Sequence, residues 1–218
     1  MTTQDTDIKA RLIETLGEEM ANVVTHSIAA GMSILALVVL VAAAVVNGDV
    51  YRLVGVSIYG VSLILLYLAS TIFHAAHLPN INAALRHRLR IADHIGIFLL
   101  IAGTYTPILL GPLRGRLGWS FLVFIWAFAL LGSISKLFFT GRFHFVATFA
   151  YVAMGWSAVF IVGVLFEKMG TQGAMWIVGG GLVYTLGVIP YLWNKLPYNH
   201  AIWHLFVIGG SICHFFGI

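Results

Sequence analysis

The feature that most constrains this chain is a series of long apolar runs that do not alternate. Ile34 to Val46 and Ile95 to Ala102 contain almost nothing polar, and charges gather in short stretches between such runs. In hydrocarbon every backbone polar group must be satisfied within the protein, which leaves helices or a closed barrel. A barrel strand alternates apolar and polar residues, so these runs read as helices. Sixty per cent of the 218 residues are apolar and 9% are charged, too biased for a soluble domain to hide. The bilayer must act as solvent for most of the surface.

Apolar spans are expected at 23–46, 51–74, 91–111, 117–138, 145–166, 174–193 and 200–217. Each is close to the ~20 residues that cross a bilayer. The expected fold is therefore an all-α, seven-transmembrane helical bundle formed by residues 23–218, in a multi-pass protein of the cell inner (plasma) membrane. Residues 1–22 read as a cytoplasmic segment with a short interfacial helix, because Ile8, Leu12, Leu16 and Met20 recur every four residues among charges. No cleavable leader is expected: the first twenty residues hold five acids against Lys9 and Arg11.

Orientation follows from Lys and Arg counts. With the N-terminus inside, the inner segments hold Lys9, Arg11, Arg86, Arg88, Arg90, Lys136, Arg142 and Lys195. The outer ones hold Arg52, Arg114, Arg116 and Lys168, so the bias of eight to four favours a cytoplasmic N-terminus and an outside C-terminus.

Ionisable groups inside spans are costly and mark function by default. Tyr67, Ser70, Thr71 and His74 share one face at the end of the second span. Asp93 and His94 open the third, and His200 and His204 lie one turn apart at the start of the seventh. Asn22 and His26 open the first. Seven spans put all of these at one depth. Three histidines and a carboxylate in one layer suit zinc, whose catalytic sites commonly use three protein ligands and a water. Ser70 is placed to hold the second ring nitrogen of His74 or a ligand group. Asp93 is placed to hold a water at the metal and take its proton.

Each piece also has a plainer reading. Asp93 alone suits a helix start, and Ser70 and Thr71 commonly bond back to their own helix. His77, His87 and His94 read as interfacial, His144 as solvated, and His214 as too near the opposite face to join the cluster. Gly179, Gly180 and Gly181 suit close helix packing, and Pro107 and Pro190 suit kinks or helix ends. Cys213 is the single cysteine, which excludes an internal disulfide and a cysteine-rich metal site.

The stretch Glu18 to His26 (EEMANVVTH), STIFH from Ser70 to His74, DHIGIFLLIAGTYTP from Asp93 to Pro107 and HAIWH from His200 to His204 resemble the bacterial hemolysin III proteins. Those belong to the progestin and adipoQ receptor (PAQR) family, with the adiponectin receptors. The resemblance implies seven helices, a cytoplasmic N-terminus and a zinc ion near the inner leaflet. It implies ligands at His74, His200 and His204, a water-mediated contact from Asp93, and Ser70 nearby.

The expected function is a zinc-dependent membrane hydrolase of a lipid amide or ester, ceramidase-like, with membrane lipid as substrate and no nucleic-acid partner. Asp93 and Ser70 would be its catalytic residues. A membrane-homeostasis sensor with structural zinc is the alternative from another class, and a cytolysin is a third. No HExxH occurs, since Ala, Ile and Trp separate His200 from His204, so a protease of that type is not expected. A retinal protein needs a mid-span lysine, and Lys9, Lys136, Lys168 and Lys195 all lie elsewhere. Haem would leave Asp93 and a third histidine without a purpose.

Overall fold

The computed structural model describes residues 3–77, 82–140 and 144–218, with side chains from residue 15 onward except at 144. The described elements are helical: α1 (Thr3–Asn47), α2 (Val50–Ala75), α3 (Ala83–Leu110), α4 (Arg116–Phe139), α5 (His144–Trp156), a 3-10 turn (Ser157–Ile161), α6 (Val162–Leu192) and α7 (Asn199–Gly217). Six helical stretches are long and apolar enough to cross a membrane, the stretch from Phe145 to Leu192 counted as one. The surface is inverted relative to a soluble protein. Val46, Phe138, Phe145, Phe149 and Phe160 are each at least 72% exposed. This is a multi-pass membrane protein.

The 48 residues from Phe145 to Leu192 do not form one rod. Trp156 Nε1 donates to Thr185 Oγ1 at 2.9 Å. Twenty-nine residues of straight helix would hold those groups about 43 Å apart, so the chain doubles back between them. The reversal falls at Gly170, the one non-helical residue inside α6, at φ 70°. Side chains rarely adopt that backbone, and glycine does so without penalty. A connecting loop is expected at 167–173; the structure needs only this single-residue break.

The N-terminal segment also differs from expectation. It is continuous with the first span in a single 45-residue helix. The side chains of Ile8 and Leu12, on which the interfacial reading rests, lie outside the described residues, as does that of His144.

α3 is the central rod. One buried cluster joins it to α4, α5 and α6 through residues such as Phe98, Tyr105, Leu109, Ile125 and Met154. A second joins α1, α2, α3 and α7 through Ala30, Val56, Tyr59, Leu63, Leu100 and Val207. Close approach of α2 to α3 depends on small residues: a Cβ on Gly55 would come within 2.7 Å of Pro107 Cα. Pro107 and Pro190 both lie in the last turn of their helices, which end at Leu110 and Leu192. Tyr105 donates to the Gly155 carbonyl at 2.6 Å, satisfying backbone freed where α5 tightens into the 3-10 turn. At the end of the bundle where α2 begins, Asp49 caps Tyr51 N and pairs with Arg114 at 3.1 Å.

Candidate metal centre

The site forms where the end of α2, the start of α7, the middle of α1 and the first half of α3 meet. His74 lies one residue before the end of α2, and His200 and His204 fill the first turns of α7. The N-terminus of α7 is held to α1 by one strap: Tyr198, at φ 55°, donates its N–H to Glu18 Oε1 at 2.8 Å. His74, His200 and His204 then converge. Ring centroids are 4.9 Å apart for His74 and His200, 5.2 Å for His74 and His204, and 4.7 Å for His200 and His204. One ring nitrogen from each lies within 4.8 Å of the others.

Two of these rings have their second nitrogen occupied. His74 Nδ1 lies 2.7 Å from Glu19 Oε2. A carboxylate only accepts, so Nδ1 carries the hydrogen and Nε2 keeps its lone pair. That Nε2 is buried and has no partner in the protein. Thr25 Oγ1 lies 3.1 Å from His204 Nδ1. Its own hydrogen is shared between the Ala21 and Asn22 carbonyls at 2.8 and 3.0 Å. The hydroxyl therefore accepts from His204 Nδ1, again leaving Nε2 free. An imidazole whose outer N–H is held by a carboxylate or hydroxyl is the arrangement of a metal-binding histidine. An orphaned nitrogen on His74 and the donor set as a whole fit a divalent metal such as zinc, which His74, His200 and His204 would hold.

Ser70 does not hold His74, as one expectation had it; Glu19 does. Ser70 instead faces the Asp93 carboxylate. Both are buried, at 1% and 8% exposure. Asp93 and Ser70 thus form an acid–hydroxyl pair beside the histidines, in the wall of the same cavity.

His26 is a fourth buried histidine. Its ring stacks on His204 with centroids 3.4 Å apart and planes 13° from parallel. The two rings are nearly parallel and a ring thickness apart, so His26 would not share an ion with His204. Both His26 nitrogens are buried without a partner. Of the histidines expected at the interface, His77 lies 3.8 Å from Glu19 Oε1 at the rim. His94 Nδ1 donates to the Arg90 carbonyl at 2.7 Å. His214 is remote from the cluster but lines the same cavity.

Glu19 and Thr25 carry no mark in a search for ligands. The available signal covers Glu19 alone: Glu19, Asn22 and His26 recur at i, i+3 and i+7, one face of a helix.

From this cluster a cavity of about 800 Å³ runs into the bundle. Its lining includes Glu19, His77, Arg86 and Arg90 and, further along the helices, Leu100, Ile108, Val152 and Leu165 interspersed with Thr104, Thr148 and Tyr151. The arrangement can hold a divalent metal at the head of an apolar chamber, with a carboxylate placed to exchange a proton.

Residues 15–215 match the family model described as haemolysin-III related. Hemolysin-3 of Bacillus cereus is 45% identical over 211 residues, covering 97% of this chain and 94% of that protein. A hemolysin-3 homolog of Bacillus subtilis (strain 168) is 45% identical over 202 residues, 93% of each chain. Human monocyte to macrophage differentiation factor is 32% identical over 182 residues, 79% of this chain and 72% of that one.

Proposed function

The chain belongs to the haemolysin-III related family, and from that premise we propose that it is a zinc-dependent hydrolase of the plasma membrane, cleaving a lipid amide or ester. The observation that carries this is the convergence of three imidazoles beside the Asp93–Ser70 pair at the head of an apolar cavity. His74, His200 and His204 hold the metal. Bound zinc supplies a Lewis acid that polarises a carbonyl and brings the pKa of a water toward neutrality. Asp93 takes the proton of the attacking water and returns it to the leaving nitrogen or oxygen. Ser70, facing Asp93 in the cavity wall, is placed to donate to the carboxylate and hold it toward the site. The apolar chamber seats the acyl chain and excludes water from it. Because His26 is stacked out of reach, three histidines would hold the metal, the ligand count of a catalytic rather than a closed structural site.

In this reading the chain crosses the membrane seven times, both passes of the 145–192 stretch counted. Its N-terminus and the preceding segment, residues 1–22, are cytoplasmic; its C-terminus is outside. The site then lies in the inner leaflet, where a lipid arrives from the bilayer. Cysteines at Gly48 and Lys168, in a Cys213→Ser background, should react with an impermeant reagent on intact cells. Cysteines at Arg88 and Lys195 should not; the reverse pattern overturns the orientation.

Metal content is the first test. Protein purified without added metal should carry about one zinc per chain, and the His200→Ala/His204→Ala variant none. Asp93→Asn should keep the zinc and lose about 10²- to 10⁴-fold in lipid-amide or ester hydrolysis. Wild-type protein that stays metal-free after zinc is supplied refutes the reading. Zinc-loaded protein inert on every lipid amide and ester leaves the sensor with structural zinc.

A further inference from the structure

Beyond the histidine cluster, α7 carries two more buried polar side chains, Ser211 and His214, at 7% and 9% exposure. Ten residues separate His204 from His214, which is about 15 Å along the helix. Ser211 Oγ lies 2.7 Å from the Tyr67 hydroxyl and 2.7 Å from the Tyr184 hydroxyl. Three hydroxyls bring three hydrogens, and these two contacts consume two. Tyr184 lines the cavity and Tyr67 and Ser211 do not, so an acceptor arriving from the cavity selects the direction Tyr67 to Ser211 to Tyr184, which leaves the unused hydrogen on Tyr184.

His214 supplies the complement. Its Nε2 lies 3.0 Å from the Ile177 carbonyl, which only accepts, so Nε2 carries the hydrogen. Nδ1 therefore keeps its lone pair, and that atom is buried with no partner. The His214 and Tyr184 rings have centroids 5.4 Å apart, and both line the cavity. Each ring is seated by a glycine. A Cβ on Gly180 would overlap the His214 ring, with Nε2 only 2.5 Å away, and a Cβ on Gly210 would come within 2.6 Å of Tyr184 Cδ2. Gly179 and Gly181 face open space, so of the three consecutive glycines only Gly180 serves close packing.

The far part of the chamber thus has one hydroxyl free to donate beside one unmatched acceptor. We propose that the Tyr184–His214 pair is a binding site for a hydroxyl group carried by a lipid chain, about 15 Å from the metal centre. A hydroxyl accepts from Tyr184 and donates to His214 Nδ1, meeting both needs at once. A methylene at the same place strands two buried polar atoms. Water is the other source of the same chemistry, and a plain chain that displaces it forfeits its hydrogen bonds. The proposal rests on the reading that a lipid chain occupies the cavity.

Fatty acids test it without any bond to cleave. Binding of octadecanoate is compared with octadecanoates hydroxylated near the carboxyl, at mid-chain and at the methyl end, by displacement of a fluorescent fatty acid from full-length protein in detergent. A hydroxyl at one depth should tighten binding about 5- to 100-fold over the plain chain. Hydroxyls at the other depths should not. The preference should vanish in Tyr184→Phe, which removes a single oxygen, and in His214→Leu, while His214→Gln keeps an acceptor and part of the preference. Equal binding of plain and hydroxylated chains, which is the water-only outcome, overturns this site and leaves the hydrolase reading standing. A preference that survives both Tyr184→Phe and His214→Leu also overturns it. Failure of every chain to bind overturns the lipid-cavity reading with it.

Discussion

Glu19 offers the sharpest test of the metal centre, because it touches no metal and yet should govern its affinity. Its Oε2 accepts from His74 Nδ1 at 2.7 Å, a length typical of a charge-assisted hydrogen bond. Glu19→Gln keeps the size and removes the charge. An amide can still accept through its oxygen, but it no longer raises the basicity of His74 Nε2 or holds the tautomer as firmly. Loss of such an outer partner costs about 10- to 100-fold in metal affinity. Thr25→Val removes the neutral acceptor of His204 Nδ1, at a longer 3.1 Å. An ordinary neutral hydrogen bond is worth about 1 kcal/mol, or roughly fivefold. The predicted order of zinc affinity is wild type, then Thr25→Val, then Glu19→Gln, with His200→Ala/His204→Ala at the bottom. Competition against a chelator of known zinc affinity reads this directly, and Glu167→Gln, at an exposed residue remote from the site, serves as the control. Glu19→Gln within about twofold of wild type, or Thr25→Val weaker than Glu19→Gln, would refute the assignment of tautomers from which the metal site is built.

Two further outcomes follow from the packing. His26→Ala should retain about one zinc per chain, because the stacked ring cannot ligate alongside His204; metal analysis showing loss equal to that of the double histidine variant would contradict the geometry. Gly55→Ala pushes a methyl against the Pro107 backbone, which cannot swing aside, and should destabilise by about 1–3 kcal/mol. Gly179→Ala meets open space and should be neutral or slightly stabilising; thermal denaturation in detergent compares the two.

Much of the site was legible because membrane burial makes polar side chains conspicuous. His74, Asp93, His200 and His204 stand out of apolar sequence, and counting spans places them at one depth. Glu19 was not legible as a partner, because it sits in a lead-in already rich in charge, where another acid signals nothing; Thr25, inside the first expected span, reads as one more hydroxyl bonded back to its own helix. Ser70 was expected beside His74 from spacing along one helix, and a carboxylate on a different helix occupies that place instead. The hairpin within residues 145–192 shows the same limit. Charge and glycine mark the turn region, but only backbone geometry reveals that Gly170 alone makes the break, with helix resuming at once on either side. His214 was set aside on depth alone; depth cannot show that a single cavity reaches both ends of α7.

The unbroken α1 has a mechanical consequence. Forty-five residues of helix span about 68 Å, more than twice the ~30 Å of a hydrocarbon core. The part that cannot fit within the bilayer is a stiff arm, and Glu18, Glu19 and Thr25 lie along the same rod. Glu18 steadies the turn before α7, while Glu19 and Thr25 steady the two imidazoles His74 and His204. Tilting or twisting that arm therefore moves three supports of the metal centre together, with no flexible joint to absorb the motion. A fusion partner or bound protein that loads the N-terminal end acts on the centre through leverage, at a distance from any ligand.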